Sequence, residues 1–263
     1  MTSLVYITGA TGYVGRHLSK ELAACGIQTE PLRLFVDGKV LRLPPGLKLD
    51  PNAAVIHLSE NPDAGATQSD DATIDAAVHN AKVLSASVAK VIYFSSVAVY
   101  DLSEPSSHNE NSTKFADTPY ANFKRRIEKQ LDPEKDLIVR PSNMYGDVAK
   151  PNTMLGDLLS SQKSPGGPSL RDPSAQRDFI HLRYVSEFME LALRENLSGV
   201  WNLASGIWTS GQDLIDAATG NRPEHADEVQ SPYDNRKLLS ALGIAKLKSV
   251  IDDLLSGQLS GQD

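Results

Sequence analysis

The 263-residue chain is 40% hydrophobic and 22% charged, which is enough apolar surface for one large domain or two closely packed ones. Its 26 basic and 33 acidic side chains give a net charge of -7, which argues against a nucleic-acid binder that relies on a broad basic surface. The single cysteine, Cys25, excludes an intramolecular disulfide and is typical of a reducing compartment. The sequence shows neither a signal peptide nor an apolar run long enough for a bilayer, so we expect a cytoplasmic protein without membrane or nucleic-acid partners.

Short apolar runs alternate with helical patterns in the first half of the chain. The patterns predict strands at 4–7, 32–36, 53–58, 91–95 and 137–140, and helices at 14–24, 72–88 and 120–131. Strands separated by helices form parallel sheets with crossover connections, so the fold class is α/β with a doubly wound parallel sheet. Ligands of such sheets bind at the carboxyl ends of the strands.

Past Gly146 the pattern loosens into a stretch rich in Pro, Gly and Ser, followed by a helical segment at 184–194 and a strand-like segment at 200–203. We therefore expect a dinucleotide-binding domain at 1–146 and a smaller substrate-binding cap at 147–255, some of whose elements pack back on the first domain. The repeated "SGQ" of the last eight residues predicts a flexible tail at 256–263.

The stretch "TGATGYVG" places Gly9, Gly12 and Gly15 between the first strand and the first helix. Such a turn brings backbone N–H groups and a helix N-terminus against a pyrophosphate, which makes the fold Rossmann-like. A tight turn with close helix–strand packing is the alternative interpretation. If the first holds, the cofactor-binding residues of the turn are Gly9, Thr11, Gly12, Tyr13, Val14 and Gly15.

The residue at the end of the second strand selects between the two nicotinamide dinucleotides, an acid favouring NAD and an arginine favouring NADP. The candidates are Glu30, which precedes Pro31 and is expected near the strand start, and Arg33, which is expected nearer its end. Arg33 favours NADP, with NAD as the alternative; an exposed arginine on a solvated loop is the competing interpretation.

Tyr120 and Lys124 are four residues apart at the start of a predicted helix, so both side chains project from one face. A phenol beside an ammonium group is a better acid–base than a phenol alone. Ser96, at the end of the fourth predicted strand, is placed to donate a hydrogen bond to the same substrate oxygen. These three residues indicate proton transfer at a carbinol oxygen while hydride passes to or from a nicotinamide.

The blocks "ITGATGYVG", "AVIHLSE", "FSSVAVY", "PYANFK", "VRPSNMYG", "RDFIH" and "VWNLASG" occur in one order along the chain. In this the sequence resembles the extended short-chain dehydrogenase/reductases, the NAD-dependent epimerase/dehydratase group that modifies nucleotide sugars. The resemblance implies that Ser96, Tyr120 and Lys124 form the catalytic triad and that Lys124 also holds the nicotinamide ribose. It places Leu58 and Ser59 along the cofactor and Pro141 near the nicotinamide.

By the same resemblance, Asn143, Arg177 and Arg222, together with Ser96, bind the substrate. The arginines agree with the charge argument, because an acidic protein needs local cations for a diphosphate. The alternative roles are an ion pair with Asp178 for Arg177 and a solvated turn for Arg222.

The six histidines show no metal-ligand spacing, and His57 and His181, in strand-like blocks, are expected to be structural. We therefore predict no metal.

Three departures from the family pattern matter. Val97 and Ala98 follow Ser96 where the dehydratases carry an acidic pair, so dehydration is disfavoured. Glu60 stands where the family usually has a small residue beside the cofactor, and Asp147 replaces a common proline.

The resulting prediction is an NAD(P)-dependent oxidoreductase acting on a nucleoside-diphosphate sugar, a 4-keto-6-deoxy sugar reductase with NADP as cofactor. The alternative is an NDP-sugar 4-epimerase with tightly bound NAD, and a non-catalytic dinucleotide-sensing module is a weaker third. The resemblance also implies a homodimer that pairs through the helices at 72–88 and 120–131.

Overall fold

The computed structural model describes residues 4–38, 40–60, 71–103, 107–162, 164–226 and 228–261. The strands are β1 (Leu4–Thr8), β2 (Gln28–Leu32), β3 (Phe35–Asp37), β4 (Val40–Arg42), β5 (Ala54–His57), β6 (Lys90–Phe94), β7 (Leu137–Pro141), β8 (Asn143–Tyr145), β9 (Gln176–Arg177), β10 (Phe179–His181), β11 (Gly199–Leu203) and β12 (Thr209–Ser210). The helices are α1 (Tyr13–Ala24), α2 (Asp71–Ser87), α3 (Pro119–Glu128), α4 (Met154–Ser161), α5 (Leu182–Arg194), α6 (Gly211–Ala218), α7 (Arg236–Leu242) and α8 (Val250–Leu255), with a short 3-10 helix at Val97–Val99.

The central sheet has six strands in the order β11-β7-β6-β5-β1-β2, and the β1–β2, β1–β5, β5–β6 and β6–β7 pairs are parallel. Strands β5, β6 and β7 are buried along their whole length, because helices cover both faces of such a sheet. The predicted α/β fold class with a doubly wound parallel sheet is confirmed.

The strand order of the sheet reverses at β1, which has β2 on one side and β5 on the other. At such a switch point the loops after two neighbouring strands leave in opposite directions and open a crevice at the carboxyl ends. The loop after β1 is the glycine turn, and the loop after β5 begins at Leu58. The fold therefore brings the "TGATGYVG" and "HLSE" blocks together at the carboxyl ends of the strands.

The second strand differs from its prediction at 32–36. Strand β2 ends at Leu32, which pairs with Thr8, and the next segment forms the β3–β4 hairpin instead of continuing the sheet. The sequence pattern used Pro31 to place Glu30 near the start of the strand, but β2 is the edge strand, and an edge strand can contain a proline in its interior. Glu30 consequently lies in the middle of β2, and Arg33 is the first residue after this strand.

The chain forms two compact units. Unit 1 comprises 1–104, 110–140 and 186–201, and its core is built around Leu84, Tyr93, Phe123 and Ile127. The domain boundary at 146/147 stays a prediction. Within the described ranges, every helix is too short or too polar to cross a lipid bilayer.

Unit 2 comprises 105–109, 141–185 and 202–263, with a core around Tyr145, Leu158, Phe179 and Leu254. Leu259, inside the segment predicted as a flexible tail, is buried in this core, and the Ser260 N–H donates to the Asp147 carbonyl at 2.8 Å. Residues 262–263 of that segment lie outside the described residues. The mobility of the tail in solution stays a prediction.

Candidate active site

The glycine turn has a backbone that only glycines accommodate. Gly9 has φ +71°, in the left-handed region, and a Cβ there would lie 3.0 Å from Ser59 Oγ. A Cβ on Gly15 would lie only 2.1 Å from the Gly9 carbonyl oxygen, so the first turn of α1 packs directly on the loop. Gly12 is the N-cap of α1 and brings no side chain to cap the helix.

This geometry fits the pyrophosphate of a dinucleotide. The N-terminal N–H groups of α1 carry a partial positive charge, and the glycines leave room for a ligand to approach the backbone. The predicted cofactor residues Thr11, Tyr13 and Val14 lie in this turn and at the start of α1. The helix-packing alternative and the cofactor interpretation are compatible here, since Gly15 serves the packing and Gly9 the loop.

The hydroxyl of Thr8 connects the two cofactor-side loops. Its Oγ1 accepts hydrogen bonds from the N–H groups of Leu58 and Ser59, both at 3.0 Å, and lies 2.8 Å from His57 Nδ1. Burial, with a smaller contribution from Lys124, lowers the pKa of His57 to about 4, although Glu60 acts in the opposite direction. His57 is thus a neutral, hydrogen-bonded histidine inside the fold, and the structure brings Leu58 and Ser59 against the glycine turn.

Ser96 directly follows β6 and caps the 3-10 helix, its Oγ accepting from the Ala98 N–H at 3.1 Å. This short helix packs against α3, which carries Tyr120 and Lys124. Helix α3 begins at Pro119, one residue before its predicted start, because the Thr118 hydroxyl accepts from the Ala121 N–H at 3.2 Å and Pro119 occupies the first helical position.

Tyr120 and Lys124 lie on one face of α3, with the Lys124 ammonium 5.6 Å from the centre of the Tyr120 ring. Tyr120 is 38% exposed, so a substrate can reach its hydroxyl, whereas Lys124 is buried. The triad residues are therefore carried by neighbouring elements of unit 1, with the phenol at the surface and the ammonium beneath it.

A buried ion pair ties α3 to the sheet. Arg140 of β7 donates to both carboxylate oxygens of Glu128, at 3.0 and 2.7 Å, and to the Tyr100 hydroxyl at 2.9 Å. Burial alone would lower the pKa of Arg140, but the hydrogen-bonded carboxylate of Glu128 raises it instead. Ser95 also donates to Glu128, at 2.5 Å. The sequence analysis missed this network, which fixes the helix that carries the acid–base pair.

Glu60 is a second residue whose role the sequence analysis missed. Its carboxylate pairs with the Lys124 ammonium and accepts a hydrogen bond from the Tyr93 hydroxyl at 2.5 Å. The available signal was the departure of Glu60 from the small residue usual at this position. Tyr93 gave no signal, because in an apolar strand it reads as a core residue.

Of the residues predicted to bind the substrate, Asn143, Arg177 and Arg222 lie in unit 2 and Ser96 lies in unit 1. Pro141, predicted near the nicotinamide, also belongs to unit 2. Pro141 ends β7 and is buried. Asn143 is exposed, and its backbone N–H and side-chain amide donate to the Asp178 carbonyl at 3.0 and 2.9 Å. Arg177 is exposed and donates to the Gln176 carbonyl at 2.7 Å.

The alternative role suggested for Arg177 is an ion pair with Asp178. The Asp178 carboxylate accepts hydrogen bonds from other residues. That carboxylate accepts from the Ser205 N–H and hydroxyl, at 2.8 and 3.0 Å, and from the Gly206 N–H at 3.0 Å. Burial raises the pKa of Asp178 despite these bonds. Arg222, predicted as a diphosphate ligand or a solvated turn residue, forms an ion pair with Asp252 at 2.8 Å, and its role toward a substrate stays a prediction.

His181 is a second buried histidine with partners on both ring nitrogens. Nε2 lies 3.1 Å from Asp147 Oδ1, and Nδ1 accepts from the Arg183 N–H at 3.0 Å. Burial is the main cause that lowers its pKa. The metal-free site stays a prediction.

Unit 2 also contains a cavity of about 510 Å³. Its lining includes Arg236, Lys246, Asp234 and Asp252, so charges of both signs face it. Among the described residues, none of the predicted site residues lines this cavity.

The sheet order, the glycine turn and the Ser96, Tyr120 and Lys124 set define a Rossmann-like α/β protein with a dinucleotide site. The profile of the NAD dependent epimerase/dehydratase family matches residues 47–204, which is more than half of the chain. The chain belongs to this family, and a nicotinamide dinucleotide is its cofactor class. The match begins after the glycine turn.

Solved structures share the fold at low sequence identity. An NAD dependent-NDP-hexosamine 5,6-dehydratase, TunA, is 23% identical with a TM-score of 0.73, over 98% of this chain and 96% of that one. MoeE5 in complex with UDP-glucuronic acid and NAD is 23% identical with a TM-score of 0.71, over 95% and 96%. RMD from Pseudomonas aeruginosa, complexed with NADPH, is 20% identical with a TM-score of 0.69, over 98% of both chains. A search of curated protein sequences gives no match.

Proposed function

We propose that the protein is an NADPH-dependent reductase of nucleoside-diphosphate 4-keto-6-deoxy sugars. The observation that carries this proposal is the placement of Tyr120 over Lys124 on α3, with Ser96 on the element packed against that helix. Membership of the NAD dependent epimerase/dehydratase family supports the dinucleotide chemistry. TunA acts on an NDP-hexosamine and MoeE5 binds UDP-glucuronic acid, which supports a nucleotide sugar as the substrate class.

A nicotinamide dinucleotide held by the glycine turn would supply the hydride for the carbonyl carbon in this mechanism. Tyr120 donates its proton to the carbonyl oxygen, so that hydride and proton together convert the ketone into an alcohol. Ser96 donates a hydrogen bond to the same oxygen and holds it near the phenol. Tyr120 then recovers a proton from water, which its partial exposure permits.

Arg33 supports NADPH over NADH. It is the first residue after β2, and because Leu32 pairs with Thr8, Arg33 leaves the sheet beside the glycine turn. A guanidinium at that position matches a ribose 2'-phosphate, while Glu30 lies in mid-strand, paired with Tyr6. RMD binds NADPH and MoeE5 binds NAD, so both cofactors occur among proteins of this fold.

The nucleotide content of the purified protein discriminates the proposal from a 4-epimerase. Mass spectrometry of the nucleotides released on denaturation, with titrations of the emptied protein by NADPH and NADH, is the measurement. An empty site that prefers NADPH supports the reductase. Stoichiometric NAD would instead support the epimerase, which must keep its cofactor between two hydride transfers.

The acid–base role is tested with Tyr120→Phe. We expect NADPH affinity close to that of the wild type and turnover of a 4-keto sugar nucleotide reduced by about 10²–10⁴-fold, the usual contribution of a positioned proton donor. Asn122→Ala, at another exposed position of the same helix turn, is the matched control. Unchanged turnover in Tyr120→Phe would refute the mechanism, and a protein that binds the dinucleotide but turns over no substrate would point to the sensing module.

The homodimer also belongs to the proposal, with α2 and α3 as the pairing helices. Light scattering at working concentrations tests it, and a purely monomeric protein would contradict it.

A further inference from the structure

Glu60 lies outside the predicted triad, but its carboxylate forms an ion pair with Lys124 of that triad. Glu60 is the third residue after β5, and its side chain is 17% exposed against 5% for Lys124. A carboxylate and an ammonium this far from water interact more strongly than the same pair at the surface. The pair therefore bears directly on the electrostatics around Tyr120.

Both oxygens of the Glu60 carboxylate are used. Oε1 accepts from the Tyr93 hydroxyl at 2.5 Å, and Oε2 pairs with the Lys124 ammonium. Tyr93 is fully buried, and burial together with the neighbouring Glu60 charge raises its pKa well above the ordinary value. Tyr93 thus keeps its proton and remains a hydrogen-bond donor, which fixes the carboxylate in place.

The Lys124 ammonium is likewise fixed. It donates to Glu60 and, at 3.0 Å, to the Phe94 carbonyl, and it lies 5.3 Å from the Tyr93 ring centre. An ammonium has three donors, so one remains for a cofactor hydroxyl. Because the Tyr120 ring is 5.6 Å away, whatever offsets the charge of Lys124 also changes the field at the phenol.

We propose that Glu60 is a positioning residue for Lys124 that offsets its positive charge, so that Tyr120 works beside an ion pair instead of a lone cation. A lone ammonium favours the phenolate, the form that removes a proton from an alcohol. An ion pair favours the protonated phenol, the form that donates to a ketone. The proposal deepens the proposed function, on which it rests, by assigning to Glu60 the preference for reduction.

The other charged and titratable groups around the pair leave this balance intact. His57, on β5, is neutral because burial lowers its pKa to about 4. Tyr93, on β6, keeps its proton. Glu128, on α3, is neutralised by the two hydrogen bonds from Arg140 of β7. Among the described groups named here, Lys124 and its partner Glu60 thus carry the opposite charges of the ion pair beside Tyr120.

The test is a phenolate titration, which needs neither substrate nor turnover. Ultraviolet difference absorbance is followed with pH for the wild type and for Tyr120→Phe, and their difference isolates the ionisation of Tyr120. The same difference is measured in a Glu60→Gln background. We expect the Tyr120 titration midpoint to move to lower pH by on the order of one unit, because one negative charge near the phenol has been removed.

Glu134→Gln is the matched control, since it makes the same charge change at an exposed residue of unit 1 and should leave the midpoint in place. An unchanged midpoint in folded Glu60→Gln would overturn the proposal. If that variant does not fold, Glu60→Ala restores the small side chain usual in the family and is judged by the same shift. A failed search for a sugar substrate would refute the proposed function while leaving this titration interpretable.

Discussion

The contact between Gly15 and the loop before it gives the sharpest prediction. In Gly15→Ala the new methyl group would lie 2.1 Å from the Gly9 carbonyl oxygen and 2.8 Å from Ala10 Cα. Non-bonded carbon atoms settle at roughly 3.5 Å or more, so α1 and the turn must separate by about 1 Å. The neighbours are backbone atoms, which have no rotamer to change.

Forced overpacking costs about 1–3 kcal/mol, and the upper end applies because the clash is with backbone. Alanine regains about 1 kcal/mol over glycine in a helix, which leaves a net loss of about 2 kcal/mol. For a chain of this size each 1 kcal/mol lowers the Tm by about 2–4 °C, so we expect a decrease of about 4–8 °C.

Differential scanning calorimetry and fluorescence titration with NADPH are the assays. We expect the displaced turn to weaken dinucleotide affinity at least about tenfold, which is about 1.4 kcal/mol. Gly166→Ala is the matched control, because a Cβ there meets open space. A Gly15→Ala protein that melts and binds like the wild type would refute the close-packing argument.

The remaining predictions concern charge. Arg33→Asp should lower NADPH affinity at least about tenfold and shift the cofactor preference toward NADH. Fluorescence titration with both cofactors measures this, with Arg171→Asp as the control. An unchanged cofactor preference would contradict the role of Arg33. The pKa of His57 is lowered to about 4 in the folded protein, compared with about 6.5 in the unfolded chain. With respect to His57, the folded state is therefore at its most stable above about pH 6.5, and this part of its stability is lost as pH falls from about 6.5 through about 4. That loss is up to about 3 kcal/mol at about 1.36 kcal/mol per pH unit, and urea unfolding of His57→Gln should show a correspondingly flatter pH dependence, while exposed His225→Gln keeps the wild-type slope.

The sheet was predictable from sequence because its buried strands are continuous apolar runs. The end of β6 and the start of α3 carry strong local signals, an apolar run before Ser96 and a Thr-Pro helix start before Tyr120. The triad could therefore be placed on its elements from the sequence. Strand β2 could not, because whether Pro31 breaks a strand depends on its place at the sheet edge, which is a property of the whole fold.

The missed parts of the site are long-range ion pairs. Glu60 meets Lys124 sixty-four positions away, and Glu128 meets Arg140 across the helix–strand connection. Charged residues in a sequence read as surface residues unless the fold provides a buried partner. For the same reason no local sequence pattern predicts the ion pair between Arg222 and Asp252.

The Thr8 hydroxyl has a consequence for the entropy of ligand binding. One oxygen joins the end of β1 to two successive N–H groups after β5, so the loops on either side of the crevice share a common anchor before any ligand arrives. Ordering a loop at the moment of binding subtracts from affinity, and a crevice already held at its working width avoids that loss. In this protein the Thr8 side chain thus helps to hold the loops after β1 and β5 in one geometry, at the point where the strand order of the sheet reverses.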